Sequence, residues 1–220
     1  RRNTLAPRAS VDGIDFNVNE PVSLSKGLNV LNLSYGAYAK SGLTIRWDKQ
    51  ESSVLEYAKQ GAAVVVKAAG NDSGTAIGEA NKAGEIDYLS RDLIGAPSAI
   101  FVGALTTNGT DTSPASMASY SNVAGTNTVV QNQFLVVGVE GEKTGLYGTS
   151  FAAPVVSGYA AVLGSKFTSA TPTQITNQLL RTARKDTVKD YDVTIHGQGE
   201  ASIANALDRS RSIDGFYGRS

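Results

Sequence analysis

The segment Gly148-Thr149-Ser150-Phe151-Ala152-Ala153-Pro154 has the residue types of a nucleophile site. Its serine stands at the expected start of an apolar helix, where backbone N–H groups are unpaired and the positive end of the helix dipole lies. Such a position favours a hydroxyl whose attack on a carbonyl generates an oxyanion. The small neighbours let a substrate approach the backbone, and a proline is tolerated in a first helical turn. Ser150 is therefore a candidate nucleophile, and its alternative role is that of a helix N-cap.

A second candidate is Asn71, in the segment Ala68-Ala69-Gly70-Asn71-Asp72. This segment follows the apolar run 62–66, and ligands of open α/β sheets bind beyond the carboxyl ends of the strands. A side-chain amide at that place can donate a hydrogen bond to an oxyanion, a contact worth about 3 kcal/mol in a transition state. The alternative is an ordinary turn asparagine.

The end of the first expected strand carries a third candidate, Leu31-Asn32-Leu33-Ser34-Tyr35-Gly36. An exposed backbone edge at its Ser-Tyr-Gly end can pair with an extended peptide, which then lies beside it as an added strand. The alternative is a strand end that has no binding role.

The elements that must position these segments predict an α/β protein. Short runs of β-branched and leucine residues indicate strands, and apolar residues with a helical period indicate helices. The predicted strands are 28–33, 62–66, 100–102 and 134–137. The predicted helices are 47–60, 151–163, 172–184 and 201–208. The segments 1–27, 70–97 and 106–132 are expected to be irregular, with a short helix inside 70–97. Gly61 is expected at a helix C-cap, and Thr171 or Thr173 at an N-cap. The fold class expected is a three-layer α/β sandwich with a mainly parallel sheet, in a single domain over 1–220.

The composition narrows the classes of function. The chain has 220 residues, of which 41% are hydrophobic and 18% are charged, so a folded domain is expected rather than a disordered chain. Its 20 basic and 20 acidic side chains balance, which disfavours nucleic acid as a partner. No apolar run approaches the ~18 residues of a membrane span. The absence of cysteine excludes disulfides and thiol catalysis.

In this order, the candidate segments resemble the subtilisin-like serine peptidases. The segment 148–154 matches the family's Gly-Thr-Ser-x-Ala-x-Pro nucleophile motif, 68–71 its oxyanion-asparagine motif and 33–36 its substrate-binding strand. The segment 118–122 is similar to the family's Ser-Asn segment, and 197–206 to its closing turn and helix. The resemblance is closest in style to bacterial secreted or autotransporter-type members.

The resemblance implies an acyl-transfer site with defined roles. Ser150 would be the nucleophile, and Asn71 would bind the oxyanion together with the backbone N–H of Ser150. The remaining implied site residues are Ser34, Tyr35 and Gly36 for substrate backbone, Ala68, Ala69 and Gly70 for the wall of the first specificity pocket, and Gly148, Thr149 and Pro154 in support of the nucleophile motif.

The resemblance also implies a protein or peptide substrate and a secreted, cell-surface or periplasmic location. Calcium is common in the family, although no cluster of Asp, Asn or Glu in this sequence has convincing ligand spacing. No other metal or cofactor is expected.

The family's catalytic Asp and His should precede the substrate-binding strand, in the order Asp, His, Ser. Asp12 and Asp15 superficially resemble its Asp-x-Gly motif, but no apolar strand precedes them and no His-Gly-Thr motif occurs in 1–27. The one histidine is His196, far downstream. An α/β-hydrolase order would pair it with Asp186, Asp190 or Asp192, but that class requires Gly-x-Ser-x-Gly, which the sequence lacks.

We therefore expect a serine endopeptidase whose Asp and His lie upstream of or outside this chain, so that the sheet lacks its N-terminal strands. The chain would be the C-terminal part of a peptidase, or one chain of a nicked enzyme that stays assembled. The alternative is an inactive, peptide-binding pseudo-peptidase, and a hydrolase that uses Ser150 and His196 is the third hypothesis. Retention of both Ser150 and Asn71 favours an enzyme, since a pure binding role needs neither.

Overall fold

Four parallel strands form the central sheet of the protein. The computed structural model describes residues 6, 9–15 and 18–211. Its strands are β1 (Val30–Leu33), β2 (Tyr38–Lys40), β3 (Val64–Ala68), β4 (Glu85–Asp87), β5 (Ala99–Leu105) and β6 (Phe134–Gly138). In the central sheet the order is β1-β3-β5-β6, and each neighbouring pair is parallel. Strands β2 and β4 form a separate antiparallel pair.

The helices lie on both faces of this sheet. They are α1 (Lys49–Gln60), α2 (Tyr88–Leu93), α3 (Thr128–Gln131), α4 (Gly141–Thr144), α5 (Ala153–Lys166), α6 (Pro172–Arg181), α7 (Val193–His196) and α8 (Ile203–Leu207), with 3₁₀ turns at Thr149–Phe151 and Arg209–Arg211. Helix α5 packs on β1, β3 and β5, and α6 and α8 lie beside it. Helix α1 contacts both β3 and α2. No helix in the described part of the chain is long and apolar enough to cross a membrane.

Strand β3 shows why the sheet lies in the middle of three layers. All five of its residues are buried. Val64 and Val66 belong to the apolar cluster that contains α5 and α6. Val65 belongs to the cluster on the opposite face, which contains residues of α1 and α2. A parallel strand that is covered on both faces reads as a continuous apolar run, as the sequence indicated.

The predicted helix ends are confirmed by their caps. Gly61 ends α1 in the left-handed conformation, at φ 69°, and its N–H bonds to the carbonyl of Tyr57. Thr171 begins α6 in a capping box with Gln174. The segment expected to be a helix buried on all sides differs, because α5 begins only at Ala153 and buries one face, formed by Ala153, Val156, Ala160 and Leu163.

Sequence patterns miss β2, β4 and the short helices α3, α4 and α7. Strands β2 and β4 have three residues each; β4 lies inside the segment 70–97, which was expected to be irregular, and β2 lies in a stretch for which no element was predicted. Periodicity gives no signal over so short a run. In the leading segment 1–27, the described residues contain no helix or strand, and the others lie outside the described residues.

Candidate active site

Ser150 lies in the 3₁₀ turn Thr149–Phe151 that leads into α5. It does not cap that helix, because the N-cap position is occupied by Ala152 and has no side-chain hydrogen bond; the N-cap alternative is therefore wrong. Gly148, at φ 117°, precedes the turn. A methyl group added to Gly148 would lie 3.6 Å from Oγ of Ser150 and 3.5 Å from Nδ2 of Asn71. The nucleophile candidate and the amide donor therefore lie at the same face of Gly148.

The amide of Asn71 is oriented by the backbone of the nucleophile turn. Its Oδ1 accepts a hydrogen bond of 2.8 Å from the N–H of Thr149. An asparagine side chain has one acceptor end and one donor end, so this bond leaves Nδ2 as the free donor end, next to Gly148 and Ser150. An oxyanion formed at Ser150 would meet a donor that is already in place, which is the arrangement that stabilises acyl-transfer transition states.

The loop that carries Asn71 is fixed from two sides. On one side, the N–H of Gly70 donates to Oγ1 of Thr149 at 3.0 Å. On the other side, the buried side chain of Asn122 accepts from the N–H of Asp72 at 2.8 Å and donates to the carbonyl of Ala69 at 3.1 Å. The sequence marked Asn122 only as part of a family segment, and its contact with the oxyanion loop comes from the fold.

A cleft of about 220 Å³ lies in front of Ser150. Its lining includes Ser34, Tyr35, Gly36, Ala68, Gly70, Asn71, Thr149 and Ser150. These residues, predicted from separate segments of the sequence, are therefore brought together. Ala69 does not line this cleft, because it is buried in the apolar cluster on the opposite face of the sheet. Pro154 stands in the first turn of α5, as expected.

The two walls of the cleft are connected beside the nucleophile. Oγ of Ser34 donates to the carbonyl of Ser150 at 3.1 Å. Nδ2 of Asn32 donates to Oγ of Ser34 at 2.8 Å, and Oδ1 of Asn32 accepts from Ser157 of α5 at 2.8 Å. Burial and the nearby Glu51 carboxylate raise the pKa of Tyr35 to about 12, so this phenol stays neutral at physiological pH.

A buried ion pair lies under the cleft and was missed by sequence reasoning. Nζ of Lys67 is 2.9 Å from Oδ2 of Asp87, and the two side chains are 1% and 7% exposed. Asp87 also accepts from the N–H groups of Ala37, Leu89 and Ser90. Burial lowers the pKa of Lys67, and the charge of Asp87 opposes that shift. A lysine inside an apolar strand was the available signal, because a buried ammonium needs an anionic partner.

His196 lies far from this site. It ends α7, is 3% exposed, and its Nδ1 accepts from the N–H of Asp192 at 3.0 Å. The backbone N–H of Gln198, two residues further on, donates to the carbonyl of Phe134, the first residue of β6. Asn71, by contrast, lies just beyond Ala68, the last residue of β3. In a parallel sheet these are opposite ends, so the third hypothesis, a hydrolase that uses Ser150 and His196, is not supported.

The aspartates considered for a triad are also elsewhere. Asp186 is paired with Arg184, and Asp192 caps α7. Asp12 and Asp15 are exposed in the leading segment, where neither belongs to a strand. Over residues 6, 9–15 and 18–211, no group of three or more His, Asp or Glu side chains is placed to hold a metal ion.

Comparison with known proteins identifies a family for the chain. The model of the subtilase family matches residues 9–203. None of the curated proteins compared with the chain is a significant match.

Several solved structures share the fold. The self-cleaved protease domain of PatA is 23% identical, with a TM-score of 0.55 over 81% of this chain and 60% of that one. The prenylagaramide maturation protease PagA is 21% identical, with a TM-score of 0.54 over 84% and 62%. MycP1 from the ESX-1 type VII secretion system is 25% identical, with a TM-score of 0.53 over 83% and 52%. The chain therefore spans less than two thirds of the length of each of these structures.

Proposed function

The chain belongs to the subtilase family of subtilisin-like serine peptidases, and from this premise we propose that it is the nucleophile-bearing part of a serine endopeptidase. In this proposal residues 1–220 form a single, partial peptidase domain. The observation that carries the proposal is the placement of the Asn71 donor end beside Ser150, held by the N–H of Thr149 at 2.8 Å. A structural asparagine or a helix-capping serine would not need this arrangement.

The reaction that fits the site is hydrolysis of a peptide bond through an acyl-enzyme. Oγ of Ser150 attacks the carbonyl carbon while a base takes the hydroxyl proton. The carbonyl oxygen becomes an oxyanion that accepts hydrogen bonds from Nδ2 of Asn71 and from the N–H of Ser150. The C–N bond then breaks, and the protonated base gives its proton to the leaving amine. Water, activated by the same base, hydrolyses the ester and regenerates Ser150.

The base is the part of this mechanism that must come from outside the described site. A serine hydroxyl is a weak nucleophile without an adjacent base, and the one histidine of the chain lies at the other end of the sheet. We propose that an N-terminal segment or a companion chain supplies the catalytic Asp and His. Strand β1 supports this, because among the described residues its only sheet partner is β3, which leaves its other edge open for an added strand.

The substrate in this proposal is a protein or peptide in an extended conformation. Ser34, Tyr35 and Gly36 follow β1 and line the cleft beside Ser150, where their backbone can pair with a substrate strand. We also propose a secreted, cell-surface or periplasmic location. The similarity to MycP1 from a secretion system supports it.

Labelling with a fluorophosphonate tests the proposal, since this reagent modifies only activated serines. The protein as purified is incubated with the reagent and its intact mass is measured, with Ser150→Ala as the matched control. We expect one adduct that is absent from Ser150→Ala, and a second, His-bearing chain or segment in the same sample. Digestion then locates the adduct.

The opposite result supports the pseudo-peptidase. If the full-length gene lacks the upstream Asp or His and Ser150 stays unmodified, the cleft binds peptides without cleaving them. An adduct that is lost in His196→Ala would instead revive the Ser150–His196 hydrolase.

A further inference from the structure

Tyr38, the first residue of β2, crosses the floor of the cleft. It lines the cleft together with both walls, the one at Gly36 and the one at Gly70. A methyl group added to Gly36 would lie 2.7 Å from Cε2 of Tyr38, and one added to Gly70 would lie 2.8 Å from its hydroxyl oxygen. The ring therefore touches one wall and its hydroxyl touches the other, so that Tyr38 fills the gap between them.

The position of this ring is fixed from below. Tyr38 stands opposite Asp87 in the β2–β4 pair. Asp87 also lies close to Gly36, since a methyl group on Gly36 would lie 2.6 Å from Oδ2 of Asp87. Burial, the charges of Asp87 and Asp72, and a hydrogen bond to Asp72 raise the pKa of Tyr38. The phenol therefore stays neutral at physiological pH. Tyr38 is still 41% exposed, so part of the side chain remains available to a ligand.

A second cavity, of about 10 Å³, also lies against Tyr38. Tyr38 lines it too, with Ala69 and Asn122. Four carboxylate residues contribute to its lining: Asp72, Glu79, Glu85 and Asp87. One of these carboxylates, that of Asp87, is paired with the ammonium of Lys67. This cavity, here called the acidic chamber, shares Tyr38 and Asp72 with the cleft.

A peptide attacked by Ser150 would place one side chain on this floor. Its carbonyl carbon must reach Ser150 while its carbonyl oxygen reaches Asn71, and the space between the two walls then receives the side chain of the residue that owns that carbonyl. A long side chain would meet the Tyr38 ring, which lines both the cleft and the acidic chamber.

We propose that Tyr38 is a specificity-determining residue: it limits the cleft to small side chains at the residue whose carbonyl is attacked, and it keeps longer basic ones from the other carboxylates of the acidic chamber. This inference rests on the proposed function, because it takes Ser150 and Asn71 as the reference points of the bound peptide.

Peptide binding tests the inference without requiring hydrolysis. N-acetylated tetrapeptides that differ only in a C-terminal Ala, Phe or Lys mimic the acyl product, and calorimetric titration into the protein gives their Kd values. We expect the Ala peptide to bind about tenfold more tightly than the Phe and Lys peptides, a ratio typical of side-chain discrimination by a pocket. Equal Kd values, or no binding of any peptide at millimolar concentration, would overturn the inference.

Two variants separate the ring from the hydroxyl. Tyr38→Phe keeps the ring and serves as the matched control, with the Ala preference retained. Tyr38→Ala opens the acidic chamber, so the Lys peptide should gain about tenfold in affinity, in a manner that weakens with salt. Circular dichroism checks that both variants fold. If Tyr38→Ala does not fold, the Kd values of the three peptides for the wild type and for Tyr38→Phe test the proposed role of the ring.

The two proposals fail separately. Absence of a fluorophosphonate adduct together with a clear Ala preference would remove the hydrolytic function and leave the role of Tyr38. An adduct on Ser150 without any preference among the three peptides would support the hydrolytic function and remove the proposed role of Tyr38.

Discussion

The side-chain oxygen of Asn71 accepts its hydrogen bond from the backbone N–H of Thr149, at 2.8 Å. The residue beside the nucleophile thus sets the rotation of the amide that would receive the oxyanion. Because the donor is a backbone group, the amide orientation depends on the fold of the 3₁₀ turn rather than on another side chain. This preorganised donor is the basis of the first two predictions, which concern the assembled peptidase.

Asn71→Ala should lower kcat by about 10²- to 10³-fold, the usual cost of losing one oxyanion donor. The KM should change little, because the oxyanion exists only near the transition state. Steady-state kinetics on a peptide substrate measure both values. Asn29→Ala, which removes an amide in the segment before β1, is the control. A loss confined to KM would contradict the assignment.

Asn122→Ala should lower kcat about tenfold through Asn71, because it frees the loop from Ala69 to Asp72. In the Asn71→Ala background the same change should have almost no further effect on kcat, as expected for coupled residues. The double-mutant cycle is the measurement. Asn205→Ala is the matched control, since its Nδ2 also donates to a backbone carbonyl, that of Thr182, away from the cleft. Additive effects on kcat would show that Asn122 acts independently of Asn71 and would contradict this prediction.

Lys67→Met should destabilise the protein by about 3–5 kcal/mol, because it leaves the buried carboxylate of Asp87 without its cation. The double variant Lys67→Met/Asp87→Asn should lose less, since the amide oxygen can still accept from the N–H groups that begin α2. Urea unfolding of the three proteins gives the free energies. A Lys67→Met variant as stable as the wild type would contradict a buried Lys67–Asp87 ion pair under the cleft.

His196 should make the protein less stable in acid. Burial lowers its pKa below 6.5, so the unfolded chain takes up the proton at a higher pH than the folded chain does. The contribution is fully present above the unfolded pKa and is lost as the pH falls toward the folded pKa. Between about pH 7.5 and about pH 5.5, the Tm of the wild type should therefore fall more than that of His196→Gln.

Thermal unfolding followed by circular dichroism measures this difference, and the carboxylates common to both proteins cancel in the comparison. Parallel Tm curves would show that the imidazole is not buried in its neutral form. The variant should also keep the fluorophosphonate adduct, as a structural histidine requires.

The sequence was sufficient for the parts of the site that are local in the chain. The nucleophile turn and the Asn71 loop are continuous motifs, and the predicted strands locate all four strands of the central sheet to within a few residues. The floor of the cleft could not be found in this way. Tyr38 is aligned with Asp87 only by the pairing of two three-residue strands, and the partner of Lys67 is identified only when these strands are in place. Similarly, nothing local connects Asn122 with the loop at Asn71.

The hydrogen bonds of Asp87 have a consequence for the time at which the site is completed. Its partners include Ala37 and Lys67, which are distant from it in the chain, so the floor closes only after slow, long-range loop closure. On the ribosome all of these residues are made before Ser150. In the proposed enzyme, the residues that form the floor of the cleft are therefore synthesised before the nucleophile that the cleft serves.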